Sequence, residues 1–334
     1  TDRTPEMLAR YARRDNRVVV LRNEMNIGLP ASLNRAIDVA RGRYLARMDD
    51  DDISMPERLE SQTSFLHSNP DIHVCGALAK VIRPTWHEPE DYSYPMYEMD
   101  EQIKLSWLSR PGIIHPTAVI RAEFIHAHHI RYDPTYFKAQ DFELWTRMGF
   151  YHRARFHNLQ VPLLRYRIKA TEVVREIRAA QENFAYAVHL RNLGYLGITD
   201  PTIQDLHARW VTRKFTPADQ KRQRDNIARH VERLFLANRE HHLWDQRALE
   251  KELMKPYRKQ FDRFYDRGMA GVEEFKNFPL HPFFGFTEQQ MRSFEKAAKR
   301  RDFRRNLRNM PVVGLLIFLA KGAMRPERLF NNSK

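Results

Sequence analysis

The most chemically informative segment of this sequence is a run of four aspartates, Asp49 to Asp52, which directly follows a predicted strand. Carboxylates placed this close together repel each other unless a positive group lies between them. Mg²⁺ or Mn²⁺ meets this need, because both ions prefer oxygen ligands and combine one or two protein carboxylates with substrate phosphates. The run therefore predicts a Mn²⁺ or Mg²⁺ site. The alternative is that Asp51 and Asp52 only favour the start of the following helix, while Asp49 and Asp50 are solvated.

Strand-type and helix-type patterns alternate on both sides of these aspartates. Short β-branched and apolar runs predict strands, and apolar residues at helical spacing predict helices. Ser54 and Glu57 match a capping box, which predicts the start of one of these helices at Ser54. The alternation is typical of a doubly wound α/β sheet, in which ligands bind at the carboxyl ends of the strands. The predicted strands cover residues 17–21, 44–48, 72–77, 113–120 and 161–168, and the predicted helices cover 29–40, 54–67 and 141–148.

Charge divides the chain into two parts. The formal net charge is +14, yet residues 1–170 hold 24 basic and 22 acidic residues, whereas residues 171–334 hold 32 and 20. Beyond residue 171 the apolar periodicity is almost entirely helical. We therefore expect an α/β domain over residues 1–170 and a basic, mainly helical region over residues 171–334.

Composition excludes several classes of protein. Hydrophobic residues make up 42% of the chain and aromatic residues 11%, which excludes a disordered or linker-dominated protein. Cys75 is the only cysteine, so an internal disulfide and a thiolate zinc site are excluded and a reducing cytoplasm is predicted. No apolar run reaches the roughly 18 residues that a membrane-spanning helix requires.

An ordered series of short segments resembles the nucleotide-sugar half of family 2 glycosyltransferases, which have the GT-A fold. The resemblance extends over about the first 170 residues, and it is far more specific than a single D-x-D motif. It implies a GT-A-like mixed sheet. The matching segments are Asn26-Ile27-Gly28-Leu29, Ser32-Leu33-Asn34, Ala40 to Ser54, Pro56, Arg58-Leu59-Glu60, Gln62, Ile114-His115-Pro116-Thr117, Arg121, Ala139 to Trp145 and Leu164-Arg165-Tyr166-Arg167.

The resemblance also implies that the family's first strands are missing. Thr1-Asp2 is similar to the end of the family's D-G-S-T-D segment. We therefore expect the GT-A domain to lack the first strand, its helix and the second strand, together with the residues that bind the nucleobase.

The same resemblance implies a donor and metal site. Asp49 and Asp51 correspond to the two aspartates of the family's D-x-D motif, which holds the cation and the ribose and pyrophosphate of the donor. Asp52 corresponds to the next acidic position, so the implied metal ligands are Asp49, Asp51 and Asp52. The implied donor-binding residues are Asn26, Gly28, Asn34, Asp49 and Asp51.

The acceptor side follows from the second half of the resemblance. Asp141 corresponds to the family's catalytic base, which takes a proton from the acceptor hydroxyl and inverts the anomeric centre. His115 and Trp145 are the implied acceptor-binding residues, although Trp145 also suits a place in the core. The chain departs from the family where Gln140 replaces a glutamate and Lys169 replaces a histidine.

The predicted function is that of an inverting, metal-dependent enzyme that moves one sugar from a nucleotide-sugar donor to a hydroxyl of a cell-surface glycan or a lipid-linked acceptor. Arginines between Arg300 and Arg308 precede the apolar stretch Val312 to Ala320, and this pattern suits a helix on an anionic membrane surface. The predicted location is therefore the cytoplasm, at the inner face of the plasma membrane. A terminal helix packed on the protein core is the alternative for residues 300–334.

Two other functions compete with this prediction. The basic second half suits a nucleic-acid-binding protein, whose binding would depend steeply on salt and would not need Asp51. The acidic run suits a metal-dependent phosphohydrolase, which would release phosphate without an acceptor. The resemblance favours the transferase, and with it no nucleic-acid partner is expected.

Overall fold

The chain forms two compact units, residues 1–248 and 249–334, in a computed structural model. The predicted boundary between an α/β domain over residues 1–170 and a basic helical region over residues 171–334 stays a prediction. The structure describes residues 2–82, 95–167, 171–211, 224–241, 244–250, 252–253, 268–277 and 287–308.

The first unit is built around a mixed five-stranded sheet with the strand order β1-β4-β3-β5-β2. The central pair, β3 and β5, is parallel, and the other pairs are antiparallel. The strands are β1 (Tyr44–Ala46), β2 (Ile53–Ser54), β3 (Val74–Ile82), β4 (Val119–Arg121) and β5 (Phe156–Arg167).

Strand β3 is central because it is apolar on both faces. Val74, Cys75, Ala77 and Ala79 have no exposed surface, as expected for a strand that is covered on both sides. Gly76 permits the close approach of β5, since a Cβ atom at this position would lie 2.1 Å from the Asn158 Oδ1. The predicted α/β class with a mixed sheet is confirmed, although most strand pairs are antiparallel and not parallel.

Short helices and turns connect these strands and cover the sheet. Trp107, Trp145 and Phe156 are completely buried and form much of the core around β3. The helices are α1 (Thr4–Arg14), α2 (Gly28–Val39), α3 (Arg58–Ser68), α4 (Asp100–Ser106), α5 (Ala122–Ala127) and α6 (Gln140–Thr146), with a 3₁₀ turn at His115–Thr117 and a π-type turn at Arg147–Tyr151.

Helices dominate the described residues after the sheet, as the sequence predicts. In the first unit these are α7 (Thr171–Tyr195), α8 (Pro201–Val211) and α9 (Arg224–His241). In the second unit α10 (Met269–Lys276) and α11 (Glu288–Arg308) enclose a small core of their own, which includes Phe275 and Phe294. None of the described helices combines the length and the apolar character that a bilayer span needs.

Three local predictions are wrong. The predicted strand 113–120 is reduced to β4 at Val119–Arg121, because His115–Thr117 form a 3₁₀ turn. Residues 17–21 do not form a strand, and their side chains are exposed, because no described strand supplies them with backbone hydrogen bonds. Ser54 does not cap α3. It pairs with Leu164 in the ladder between β2 and β5, and the helix begins at Arg58 with Glu57 as its N-cap residue.

Candidate active site

Three of the four aspartates converge on one small space. One carboxylate oxygen from each of Asp49, Asp51 and Asp52 lies within 4.8 Å of the other two. Asp50, which carries the same charge, is exposed and does not join this group. The turn between β1 and β2 therefore brings together three carboxylates with the chemistry to bind a hard cation, and their assignment as metal ligands stays a prediction.

Asp52 is the most buried member of this acidic group, with 7% of its surface exposed. Its Oδ1 accepts a hydrogen bond of 2.8 Å from the Arg167 backbone N–H at the end of β5. Its Oδ2 is buried, and no described residue donates a hydrogen bond to it. Burial raises the pKa of Asp52, and the charges of Asp49 and Asp51 raise it further. A cation would relieve both the repulsion and the unpaired oxygen, so the donor set fits Mn²⁺ or Mg²⁺.

The strand before the acidic turn is fixed by two buried polar residues of α3. Arg58 Nη2 donates a hydrogen bond of 2.7 Å to the carbonyl oxygen of Arg47, and Arg58 Nε donates to Gln62 Oε1 at 3.1 Å. Gln62 Nε2 in turn donates to the carbonyl oxygens of Cys75 and Thr117, both at 2.8 Å. This network links the end of β1 to β3 and to the 3₁₀ turn, and it therefore holds in place the backbone from which the acidic turn starts.

Asp141 lies in the first turn of α6, where Ala139, the N-cap residue, adopts a left-handed conformation with φ 57°. This conformation is strained for alanine and is common where a site dictates the backbone. Burial raises the pKa of Asp141, whereas the positive charge of Arg47 lowers it and the negative charge of Asp49 raises it. Asp141 is therefore close enough to the acidic turn to sense its charges, while it stays outside the group of three aspartates.

His115 and Tyr132 form a buried polar pair beside these carboxylates. The His115 Nε2 and the Tyr132 hydroxyl are 2.8 Å apart, and only 7% of His115 is exposed. Burial lowers the pKa of His115 far below its usual value, and the charge of Arg47 adds to this effect. Burial raises the pKa of Tyr132, and the charges of Arg47, Asp141 and Asp49 also act on it, so Tyr132 lies within electrostatic reach of the acidic turn and of α6.

The predicted donor residues on the loop before α2 lie in different environments. Asn26 is exposed, and its Oδ1 accepts a hydrogen bond of 3.0 Å from the Gly28 backbone N–H. Gly28 has φ +80°, a conformation that favours glycine. Asn34 uses its side-chain amide on the backbone of Tyr132, with a donated and an accepted hydrogen bond of 2.8 Å each. These contacts give Asn34 a clear part in positioning Tyr132.

Trp145 differs from its predicted role in acceptor binding. Its side chain has no exposed surface and contacts His115 and Phe156 edge to face. A tryptophan packed in this way cannot stack on a sugar ring. The alternative that Trp145 belongs to the core is the one that the structure supports.

Several residues of this site were missed by sequence reasoning. Arg47 forms an ion pair of 2.6 Å with Asp49 while only 8% of its side chain is exposed. Glu143 is completely buried between Arg147 and Arg191, two residues after Asp141. One signal for Arg47 was available in the sequence. A charged residue inside the predicted strand 44–48, directly before four aspartates, predicts an ion pair with one of them.

Comparison with known proteins shows which family the first part of the chain matches. Residues 1–128 match the family described as "Glycosyl transferase family 2". Residues 1–128 therefore correspond to a family 2 glycosyltransferase domain. The matched residues include the acidic turn, α3 and His115, while Tyr132, Asp141 and strand β5 lie after them.

Relatives of known name support the same family. The chain is 29% identical over 163 residues to "Uncharacterized glycosyltransferase MJ1057" of Methanocaldococcus jannaschii, which covers 49% of this chain and 55% of that protein. It is 28% identical over 184 residues to "O-antigen biosynthesis glycosyltransferase WbnJ" of Escherichia coli, covering 55% of this chain and 70% of that protein. The chain thus spans about half the length of MJ1057.

A solved structure also shows a weak likeness. The structure of S. aureus TarS 1-349 in complex with UDP-GlcNAc is 15% identical, with a TM-score of 0.46, and covers 77% of this chain and 78% of that one. At this level of similarity it adds no argument about the site.

Proposed function

We propose that this glycosyltransferase domain transfers one sugar from a nucleotide-sugar donor to a hydroxyl group, with inversion at the anomeric carbon and with Mn²⁺ or Mg²⁺ as cofactor. The observation that carries the proposal is the separation of two acidic functions within one site. Asp49, Asp51 and Asp52 gather their oxygens within 4.8 Å, whereas Asp141 lies apart on α6 and still senses the charge of Asp49.

The separation suits the chemistry of a single displacement. A carboxylate that binds a cation has a lowered pKa and is a poor base, so the base must be a different residue. The pKa of Asp141 is raised by burial, which makes this carboxylate a better proton acceptor. As the acceptor oxygen forms its bond to the anomeric carbon, Asp141 takes the hydroxyl proton and the bond between that carbon and the diphosphate breaks. A bound cation would stabilise the negative charge of the leaving diphosphate.

The remaining site residues have narrower proposed roles. Asp49, Asp51 and Asp52 are the proposed cation ligands, and Asn26 and Gly28 are proposed to contact the donor from the loop before α2. Asn34 is proposed to contribute to donor binding indirectly, because its side-chain amide holds the backbone of Tyr132 in place. His115 is proposed to border the acceptor.

A cell-surface glycan or a lipid-linked molecule is the proposed acceptor. The relative WbnJ is named for O-antigen biosynthesis, which is consistent with a glycan product. Helix α11 supports a membrane-associated location, because Arg300, Arg301 and Arg305 are exposed on it. The apolar stretch 312–320 lies outside the described residues. We propose that the protein acts in the cytoplasm at the inner face of the plasma membrane.

The test is a screen of nucleotide sugars with Mn²⁺ and a panel of glycan and lipid-linked acceptors, with nucleoside diphosphate release as the readout. We expect Asp51→Asn and Asp141→Asn to lower the turnover roughly 10²-fold or more. Asp50→Asn is the matched control, because it removes the same charge from an exposed neighbour, and it should stay within a few-fold of wild type.

Three outcomes would contradict the proposal. Turnover by Asp141→Asn at the wild-type rate would show that Asp141 is not the catalytic base. Release of inorganic phosphate without any acceptor would favour a phosphohydrolase. Salt-sensitive binding of nucleic acid that persists in Asp51→Asn would favour the binding protein.

A further inference from the structure

Arg47 stands two residues before Asp49, and hydrogen bonds hold its backbone on both sides. Its N–H donates a hydrogen bond of 2.9 Å to the Ala118 carbonyl oxygen, and its carbonyl oxygen accepts one of 2.7 Å from Arg58. Its side chain reaches the acidic turn, where Nη2 lies 2.6 Å from Asp49 Oδ1. Arg47 is therefore held both at its backbone and at its guanidinium.

The guanidinium is only partly satisfied by this ion pair. Its Nε and Nη1 are buried, and no oxygen of the described residues accepts a hydrogen bond from them. Only 8% of the side chain is exposed, so solvent offers little compensation. Buried N–H groups of a charged side chain are costly to leave without acceptors, and native structures seldom do so unless the group has a functional role or water, an ion or a ligand supplies the acceptor.

The surroundings of Arg47 are those of the reacting groups. Its guanidinium contacts Asp49, one of the proposed cation ligands, at 2.6 Å. Its charge also acts on Asp141, His115 and Tyr132, where it lowers the pKa of each group. The guanidinium therefore lies beside a proposed cation ligand and within electrostatic reach of the proposed base. In a sugar transfer, the groups that occupy this space are the donor sugar and the diphosphate to which it is attached.

We propose that Arg47 is a donor-binding residue whose Nε and Nη1 donate hydrogen bonds to oxygens of the donor diphosphate. This inference rests on the proposed function. Diphosphate is favoured over a neutral hydroxyl, because a buried guanidinium gains most from an anionic oxygen and its planar donors match phosphate geometry. It is favoured over an anionic acceptor, because the pairing with Asp49 fixes the guanidinium on the cation side of the site.

A simpler role is that Arg47 only neutralises the acidic turn. In that case Nη2 and Asp49 would account for the whole function, and the loss of Arg47 would disturb the cation site. The two roles differ in what they predict for cation binding and for diphosphate binding, so separate measurements of the two distinguish them.

The main experiment measures the binding of inorganic pyrophosphate, the part that such donors share, by titration calorimetry in the presence of Mg²⁺. We expect Arg47→Met to weaken this binding about tenfold to a hundredfold, as expected for lost hydrogen bonds to a charged group. Arg47→Lys keeps the positive charge but lacks the planar donors, so its affinity for pyrophosphate should lie between those of wild type and Arg47→Met. Arg43→Met is the matched control, since Arg43 is exposed at the opposite end of the same strand.

A second measurement uses Mn²⁺ alone, followed by electron paramagnetic resonance. We expect Arg47→Met to bind Mn²⁺ at least as tightly as wild type, because the variant leaves all three carboxylates in place and removes a competing cation from Asp49. An equal loss of Mn²⁺ and pyrophosphate binding would overturn the inference in favour of the neutralising role. Unchanged pyrophosphate binding in both Arg47 variants would overturn it directly, and so would a wild-type protein that does not bind pyrophosphate.

This result is separable from the proposed function. Asp141→Asn should bind pyrophosphate like wild type while it loses turnover. If Asp141→Asn keeps its turnover and Arg47→Met still loses pyrophosphate, the proposed base is wrong and the diphosphate site stands. If Arg47→Met does not fold, Arg47→Lys provides the comparison, because it preserves the ion pair with Asp49.

Discussion

The backbone N–H of Arg167 donates a hydrogen bond of 2.8 Å to Asp52 Oδ1, and this contact ties the acidic turn to the last residue of β5. A second bond of 2.8 Å joins the Arg167 side chain to the carbonyl oxygen of Asp51. The pairing of Ile53 with Arg165 adds a third link between the same segments. The proposed cation ligands are therefore held by the sheet itself, which limits how far they can move when a ligand binds.

The tether predicts that Asp52 contributes to folding as well as to cation binding. We expect Asp52→Ala to lower the free energy of unfolding by about 1–3 kcal/mol, because the Arg167 N–H loses its acceptor. Asp52→Asn keeps a side-chain oxygen and should lose less. Urea unfolding at neutral pH measures the difference, with Asp50→Ala as the exposed control. Equal stability of the Asp52 and Asp50 variants would show that the tether is not stabilising.

The sequence predicts elements well where local patterning and tertiary packing agree. Helix α2 and strand β3 are found close to the predicted residues, since apolar periodicity and burial coincide there. Ser54 shows the opposite case. Its local pattern favours a helix cap, but its backbone pairs with Leu164, more than a hundred residues away in sequence, and this long-range pairing prevails.

The same distinction applies to the candidate site. Residues that belong to a contiguous motif, such as Asp49 and Asp51, are identified from sequence because the motif itself carries the chemistry. Arg47, Tyr132 and Arg167 are not identified in this way, because their roles depend on distances between segments that no local pattern encodes. The acidic residues of the site can therefore be predicted from sequence, whereas the residues that pair with them require the structure.

Gln62 provides a test of the buried network below the acidic turn. Its side chain has no exposed surface and donates to two main-chain carbonyl oxygens, those of Cys75 and Thr117. Gln62→Leu leaves both oxygens buried without their donor, and we expect it to lower the free energy of unfolding by about 3 kcal/mol. Ser64→Ala on the exposed side of the same helix should change stability by less than about 0.5 kcal/mol.

Chemical denaturation followed by circular dichroism distinguishes these two variants. The network also positions Arg47 through Arg58, so Gln62→Leu should weaken Mn²⁺ binding indirectly. A Gln62→Leu protein as stable as Ser64→Ala would mean that the two carbonyl oxygens find other donors, and the proposed role of the network would be wrong.

Glu143 is expected to stabilise the helix that carries Asp141. Its carboxylate has no exposed surface, and its oxygens contact Arg147 at 2.8 and 3.0 Å and Arg191 at 2.6 Å. Removing one member of a buried ionic group leaves uncompensated charge. We expect Glu143→Ala to lower the free energy of unfolding by roughly 3 kcal/mol. The exposed Glu123→Ala on α5 is the matched control, and equal effects of the two variants would refute the prediction.

Three buried histidines make the first unit sensitive to acid. His207 Nε2 lies 3.0 Å from the Leu108 carbonyl oxygen, so it carries the hydrogen, and His207 Nδ1 accepts from His230 Nε2 at 2.9 Å. Burial lowers the pKa of His207 from 6.5 to about 4, and it lowers the pKa values of His189 and His230 well below 6.5. All three rings are therefore neutral in the folded protein near pH 6.

This neutrality fixes the direction of the pH dependence. Between pH 6.5 and about 4 the unfolded chain protonates His207 while the folded chain does not, so the free energy of unfolding falls as the pH falls. The slope contributed by one such group is at most about 1.4 kcal/mol per pH unit. His207→Gln should flatten this slope, whereas the exposed His126→Gln should leave it unchanged. Urea titrations at several pH values measure the slope. If the His207→Gln protein loses stability as steeply as wild type between pH 6.5 and 4, His207 does not control the acid sensitivity.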